Sequence, residues 1–228
     1  MSKSEQSLID DKVINFPAPN NISISLSIMK KCLSSARELH KKILRSSTNQ
    51  KIEITEMLKP DFYNYFEQIQ TSIIFSYIAI EAFSNAAIPD IFLFEKVNEK
   101  GIKETWNKEN IERWMSTSEK VSNILPTILK TSDIRNENFW SNFKDLEKLR
   151  NDIIHQKTIE KGNKLDVELF HQMLNPNVIN KITSSIKVIE FFYKIDSAHP
   201  YFPLGLGIAK FQVHKIESME KHFKLVEG

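Results

Sequence analysis

Three side chains in the second half of the chain have the types and the spacing to act on a phosphodiester. Arg150, Asn151 and His155 lie close together in the sequence. On a helix with about 100° per residue, Asn151 and His155 lie one turn apart and Arg150 lies on the neighbouring edge. Arg offers a planar fork for phosphate oxygens, and His exchanges protons near neutral pH. The sequence therefore predicts a site that binds a phosphate and transfers protons.

The residues that flank Arg150 on the helical wheel are apolar. They are Phe139, Phe143, Leu146, Leu149, Ile153 and Ile154. A guanidinium cannot lose its proton, and burying it without a partner costs several kcal/mol. Two explanations stay open: Arg150 binds an anion, or it pairs with Glu81, a carboxylate in the most apolar part of the chain. The two are compatible, because Glu81 would then orient the guanidinium.

This group of side chains has neither a nucleophile of its own nor a carboxylate cluster for a metal. Glu147 adjoins the group, but Asp152 points to a different face. RNA supplies its own nucleophile, the ribose 2′-hydroxyl, so Arg150 and His155 are enough for cleavage. One His does not easily serve as both base and acid, and a homodimer would supply a second pair. We therefore expect metal-independent cleavage, without a cofactor, at a composite dimer site.

The composition excludes several other classes of protein. The chain has 228 residues, of which 41% are hydrophobic, and 31 Lys and Arg against 29 Asp and Glu leave a net charge of +2. Contact with nucleic acid must therefore depend on local patches. Five glycines and eight prolines disfavour a turn-rich sandwich, and a single cysteine, Cys32, excludes an internal disulfide and a zinc ribbon. We expect a mostly helical, cytoplasmic protein.

The apolar segments do not indicate a membrane partner. Residues 1–20 lack the apolar core of a secretory signal, and we expect a flexible, irregular arm there. The most apolar stretch, residues 72–94, contains Glu81 near its middle and is broken by Pro89. We interpret this stretch as part of a buried helix.

Apolar residues recur at helical spacing along most of the chain. Five helices are predicted, at about residues 21–46, 61–88, 111–125 and 137–156 and from near Pro176 onward. Alternation over residues 22–28 also fits a strand, but the helical pattern is longer. Pro126 is expected to kink or end the third helix, and Gly101 to break the connector before it. The helical domain is assigned to residues 21–197, followed by a C-terminal extension, residues 198–228, of undefined structure.

Basic residues share one face of the first helix, opposite its apolar stripe. They are Lys30, Arg37, Lys41 and Arg45, with Lys31 and Lys42 at the edge. One interpretation is a solvated face; the other is a surface that positions RNA, with Lys41 and Lys42 as binding residues. The histidines outside the motif have no partner at metal-ligand spacing, so no metal site is expected.

A run of ten residues, Leu146 to His155, resembles the motif of the HEPN superfamily. In this motif Arg is followed, after four residues, by His, and Asn commonly stands directly after the Arg, as Asn151 does here. Residues 77–85 resemble the HEPN helix that carries a polar Glu and Asn, and residues 111–126 resemble the segment that follows it. The resemblance covers roughly residues 61–195, and it rests on order, spacing and helical context together.

The resemblance implies an all-α, HEPN-like bundle that dimerises along the motif helices. It further implies an endoribonuclease that leaves a 2′,3′-cyclic phosphate, with Arg150 and His155 catalytic and Asn151 supporting them. Two supporting residues are added: Glu147, which adjoins the group on the wheel, and Glu81, as the carboxylate that would orient Arg150. Members of the superfamily are toxins, antiviral effectors or RNA-processing enzymes, and some are paired with an antitoxin or regulatory protein. Other members are inactive and bind a protein or nucleotide partner, which is the alternative function.

Overall fold

The computed structural model of the chain describes residues 4–9, 12–17, 21–46, 51–97, 99–155 and 167–193. Helices dominate these residues, and the predicted all-α class is confirmed. The predicted C-terminal extension, residues 198–228, lies outside the described residues. No helix among the described residues combines the length and the apolar character that crossing a membrane requires.

The chain divides into two compact units. The first consists of Met1–Ile24, Ile80–Asn138 and Ile186–Gly228, and the second of Ser25–Ala79 and Phe139–Ser185. Three long helices contribute residues to both units: α1 (Asn21–Arg45), α2 (Lys59–Ala86) and α8 (Val178–Tyr193).

The first unit begins with a β-hairpin where the sequence suggests an irregular arm. Strands β1 (Ser4–Ile9) and β2 (Lys12–Pro17) pair antiparallel, with Ile9 opposite Lys12. Only two residues separate the strands in the sequence, and that is the commonest spacing for a hairpin connection. The short connection brings the strands into register, so their backbone groups pair with each other.

A second hairpin occupies the connector predicted over residues 89–108. Strands β3 (Phe94–Val97) and β4 (Lys103–Trp106) pair antiparallel, with Phe94 opposite Trp106. Gly101 lies between them with φ of 75°, a left-handed conformation that glycine adopts without steric cost. The chain therefore reverses at the glycine that the sequence marks as a break.

The first two helices agree with the prediction. On α1, the helical stripe is buried, which excludes the strand alternative; the buried residues are Ile22, Leu26, Met29, Leu33, Ala36 and Ile43. On α2, buried positions occur on several sides, as expected for a buried helix. In the second unit, the Ser72 hydroxyl on α2 donates to the Met29 carbonyl of α1 at 3.2 Å.

The third predicted helix is wrong as a single element. Helix α3 (Lys108–Trp114) ends at Met115, and a new helical segment starts because Ser116 and Glu119 form a capping box. This segment runs through α4 (Thr117–Glu119), a π-helical turn (Lys120–Ile124) and α5 (Leu125–Leu129). Pro126 lies in the first turn of α5 rather than at a helix end. A proline has no backbone N–H for the preceding turn, which is consistent with the wider π-helical turn before it.

The second unit contains the helix of the predicted motif. This helix, α6 (Trp140–Ile154), buries Phe143, Leu146 and Leu149 completely. The sequence did not predict α7 (Val167–Leu174), a short helix that buries Leu169 and Met173. It packs on α2 through the ring of Phe170, 5.1 Å from that of Phe66. Helix α8 starts two residues after Pro176, as predicted.

Candidate functional site

The rotation of α6 about its axis places Arg150 at the edge of the buried face. Phe143, Leu146 and Leu149 are fully enclosed, and Arg150 follows directly after Leu149, half-buried. Asn151 is exposed. The wheel also placed Ile154 in the apolar arc, but it is 46% exposed, because α6 ends there. The wheel predicts Arg150 on the apolar face of the helix, and in the structure it lies half-buried at the edge of that face.

The Arg150 guanidinium lies against the ring of Tyr77 on α2. Its Cζ atom is 5.1 Å from the ring centroid, a cation–π arrangement. Its Nη1 donates a hydrogen bond to Asn151 Oδ1 at 3.0 Å, whereas its Nε is buried without a hydrogen-bond partner. No carboxylate among the described residues forms an ion pair with Arg150. Its positive charge is therefore left unneutralised at the edge of the core.

Tyr77 is a member of this site that the sequence did not reveal. Its ring lies almost parallel to that of Phe143, at 6.5 Å and 7°, and its hydroxyl donates to Glu147 Oε1 at 2.8 Å. Both contacts join α2 to α6 across 70 residues of sequence. Tyr77 opens the run that resembles a HEPN helix, but nothing in the pattern of α2 alone distinguishes it from other buried aromatic residues.

Glu147 lies beside Arg150 as predicted, but its oxygens are bound by other groups. Its Oε1 accepts from Tyr77, and its Oε2 pairs with Lys144 Nζ, one turn earlier on α6. The Glu147 side chain is only 12% exposed. The charge of Glu147 is thus balanced by Lys144, which leaves Arg150 as the uncompensated charge.

His155 is the residue that ends α6. Its backbone, at φ −112° and ψ 53°, has left the helix, and its N–H donates to the Asn151 carbonyl at 2.8 Å. The side chain is exposed, and its imidazole has no hydrogen-bond partner among the described residues. The sequence predicts His155 within the helix, one turn after Asn151, whereas in the structure His155 is the cap residue that follows the last helical residue, Ile154.

Glu81 does not provide the partner of Arg150. It lies in the first unit, half-buried on the last turns of α2, and its charge acts on Lys120 of the π-helical turn. Burial lowers the pKa of Lys120, and the negative charges of Glu81 and Glu112 oppose that change. Of the two explanations that the sequence leaves open for Arg150, the ion pair with Glu81 is not among the ion pairs of the described residues.

Lys120 is a buried cation that sequence reasoning missed. It is 1% exposed, and its Nζ donates to Asn85 Oδ1 at 2.8 Å and to the Glu112 carbonyl at 2.9 Å. The second acceptor belongs to the last turn of α3, where carbonyls lack partners within the helix. The four residues that precede Lys120 in the sequence are polar, so no local pattern indicates that Lys120 is buried.

No family model, no curated protein and no solved structure matches the chain. The side chains around Arg150 therefore carry the functional assignment. In chemical terms they combine an unpaired guanidinium, an exposed amide and an exposed imidazole along one end of α6.

The two lysines predicted to bind RNA lie near the end of α1, and both are ion-paired. Lys41 pairs with Glu38 at 2.8 Å and Lys42 with Asp61 at 2.6 Å. Lys42 and Asp61 line a cleft of about 730 Å³ together with Lys51 and Ser46. Both lysines remain exposed, so the solvated face and the RNA-positioning surface both stay as interpretations.

Other candidate chemistry is limited. Among the described residues, no group of three or more His, Cys, Asp or Glu side chains could hold a metal ion. Cys32 is half-buried, and burial, with a smaller effect of Glu67, raises the pKa of its thiol. A raised pKa disfavours the thiolate, and this agrees with a packing role for Cys32.

Proposed function

We propose that the protein is a metal-independent endoribonuclease of HEPN type, with Arg150 and His155 as catalytic residues. The observation that carries this proposal is the state of Arg150. Its guanidinium is held against Tyr77 and Asn151 but is not neutralised by a carboxylate. A partly buried cation without a counter-charge attracts an anion strongly, because water screens it only in part. Phosphate, like carboxylate, has oxygens placed to accept two parallel hydrogen bonds from a guanidinium.

The reaction follows from these groups and from RNA itself. The ribose 2′-oxygen attacks the adjacent phosphorus, the bond from phosphorus to the 5′-oxygen breaks, and a 2′,3′-cyclic phosphate forms. A His155 imidazole accepts the 2′-hydroxyl proton, and a second acid delivers a proton to the 5′-oxygen. Arg150 stabilises the charge that develops on the non-bridging oxygens. Asn151 keeps the guanidinium in place through its hydrogen bond.

A homodimer completes the site in this proposal. One chain supplies a single imidazole at this end of α6, and the reaction needs both a base and an acid. A two-fold axis beside α6 would add the second Arg150 and His155. Ile154, 46% exposed next to His155, offers an apolar contact for that pairing. RNA is the proposed substrate, and a role in toxin–antitoxin control or antiviral defence, with an antitoxin or regulatory partner, belongs to the same proposal.

The second candidate is a catalytically silent module that binds a protein or nucleotide partner. This candidate is favoured because one chain supplies a single imidazole at this end of α6, so a chain that stays monomeric would bind a phosphate without cleaving it. Cleavage activity separates the two candidates, since both need Arg150 for binding but only the enzyme needs His155 for turnover.

The test is cleavage of a mixed RNA substrate in excess EDTA. Arg150→Ala and His155→Ala should each lower the rate at least about 100-fold, since each removes one catalytic group. Two exposed residues outside the proposed site give matched controls: Arg135→Ala, which removes an Arg paired with Asp133, and His171→Ala on α7. Circular dichroism checks that every variant is folded.

Two results would contradict the proposal. DNA of the same sequence lacks the 2′-hydroxyl and should resist cleavage, so efficient cutting of DNA rules out this mechanism. Equal activity in wild type and His155→Ala rules out the assigned residue. If the folded wild type binds RNA through Arg150 but cuts none, the silent module is the better description.

A further inference from the structure

The spacing of Glu147 and Arg150 on α6 favours an ion pair between them. The two residues are three apart on α6, and opposite charges at this spacing on a helix commonly pair. The same spacing pairs Lys41 with Glu38 and Lys59 with Glu56 in this chain. Glu147 and Arg150 both belong to the part of the chain that the structure describes, and they do not form an ion pair.

Two neighbours bind the oxygens of the Glu147 carboxylate. The Tyr77 hydroxyl donates to Oε1 at 2.8 Å, and Lys144 Nζ binds Oε2. With both oxygens bound and only 12% of the side chain exposed, the carboxylate has little freedom to turn. At the same time the Tyr77 ring lies 5.1 Å from Arg150 Cζ and supports the guanidinium. Tyr77 thus contacts both members of the pair that fails to form.

We propose that Tyr77 and Lys144 are positioning residues that keep Glu147 from neutralising Arg150. The buried Arg150 Nε, which has no acceptor, is the donor that a released Glu147 would bind. A carboxylate on the guanidinium would compete directly with a phosphate, because both use the same donors. This inference rests on the proposed function, since it assumes that the free guanidinium binds the phosphate of RNA.

The variant that releases Glu147 is the double substitution Tyr77→Phe with Lys144→Met. Phenylalanine keeps the ring beneath Arg150 and removes only the hydroxyl, while methionine keeps most of the Lys144 side chain and removes its charge. RNA cleavage should fall about tenfold, which is typical for competition by a charged hydrogen-bond partner. Adding Glu147→Gln should restore most of the activity, because a neutral amide binds the guanidinium far more weakly than a carboxylate. A purely structural role of Tyr77 and Lys144 would show no such rescue.

A second readout does not depend on RNA. In protein labelled with ¹⁵N-arginine, the Arg150 Nε–H resonance reports on its acceptor. It should move downfield and exchange more slowly in the double variant, and Glu147→Gln in that background should reverse both changes. The control is Lys181→Met, which removes another lysine paired with an α6 carboxylate, Asp145 at 3.1 Å, and should leave the resonance unchanged.

The two readouts separate this inference from the proposed function. A shifted resonance in a protein whose wild type neither binds nor cuts RNA supports the restraint of Glu147 and overturns the ribonuclease. An active wild type whose resonance and rate do not change in the double variant overturns the restraint and leaves the ribonuclease standing. Loss of activity without rescue by Glu147→Gln also overturns the restraint.

Discussion

Lys120 and Arg150 each lie in or beside a core, and the surroundings of these two cations differ. Lys120, in the first unit, is 1% exposed and donates to Asn85 and to the Glu112 carbonyl. Arg150, in the second unit, is half-buried, and its Nε has no acceptor. The charges of Glu81 and Glu112 act on Lys120, whereas no carboxylate among the described residues pairs with Arg150.

The difference separates a cation that holds the fold together from one that is open to a ligand. Lys120 links the end of α3 to the last turns of α2, and no water-exposed surface remains on it for another molecule. Arg150 is supported from one side by Tyr77 and keeps unused donors, an arrangement that stabilises the fold little. A charge that the fold leaves without a partner is the better candidate for binding.

Removing each cation should therefore affect stability very differently. Lys120→Ala should lower the free energy of unfolding by about 3 kcal/mol, since it leaves Asn85 Oδ1 and the Glu112 carbonyl without a donor in a newly formed cavity. Arg150→Ala should lower it by less than about 1 kcal/mol, because no ion pair is lost. Urea unfolding at neutral pH measures both values.

Lys120→Met is the control for the cavity, because methionine fills the space and removes only the charge and the donor. Its loss of stability should be smaller than that of Lys120→Ala. If Arg150→Ala destabilised the protein as much as Lys120→Ala does, the distinction between the two cations would be lost.

Replacing Arg150 by lysine tests whether RNA cleavage needs the guanidinium or only a positive charge. Arg150→Lys keeps the charge but loses the planar fork and most of the stacking on Tyr77, so RNA cleavage should fall about tenfold to 100-fold. Unfolding in urea should hardly change. Cleavage at the wild-type rate would show that charge alone is required and that the Tyr77 platform has no functional part.

The pH dependence of stability should reveal the lowered pKa of Lys120 in the folded protein. Its pKa is lowered in the folded protein, so between that pKa and the ordinary lysine value of about 10.4 the unfolded chain binds more protons. The free energy of unfolding of the wild type, relative to Lys120→Met, should therefore rise as the pH increases toward 10.4. A difference that stays flat or falls over that range contradicts the assignment.

Tyr65 has the opposite effect on stability, beginning near pH 10, and taking the difference between the wild type and Lys120→Met cancels it. Burial raises the pKa of Tyr65 to about 12, and its hydroxyl donates to the Met173 carbonyl at 2.5 Å. Stability from this group is present below pH 10 and is lost as the pH rises toward 12. Both the wild type and Lys120→Met retain Tyr65, so its contribution is common to them.

The smallest effects should come from the lysines at the end of α1. Lys41 and Lys42 already pair with Glu38 and Asp61, so each contributes little free charge to RNA. Lys42→Ala should weaken RNA binding only about twofold to threefold and should reduce its salt dependence slightly. Fluorescence anisotropy at two salt concentrations measures this, with Lys181→Met as a control. A loss as large as that of Arg150→Ala would make the α1 cleft part of the principal RNA site.

Local patterns predicted α1, α2 and α6 to within a few residues, and they also predicted the neighbouring positions of Arg150 and Asn151. In these helices the buried stripe is long and regular, so periodicity decides the structure. The third helix failed because the capping box at Ser116 is a short signal inside a longer apolar pattern. The N-terminal hairpin was missed because its register depends on pairing between two segments.

The helical class, the rotation of α6 and the placement of Arg150 beside the core follow from the amino-acid pattern alone, because each depends on residues within a few turns of one another. The partners of the charges follow only from the folded chain. Tyr77 meets Glu147 across 70 residues, and Lys120 reaches Asn85 across 35. Such contacts depend on how helices pack, and packing brings together residues whose spacing in the sequence carries no periodic signal. The partner of a buried charge, and hence whether that charge is free to bind a ligand, is therefore a property of the fold.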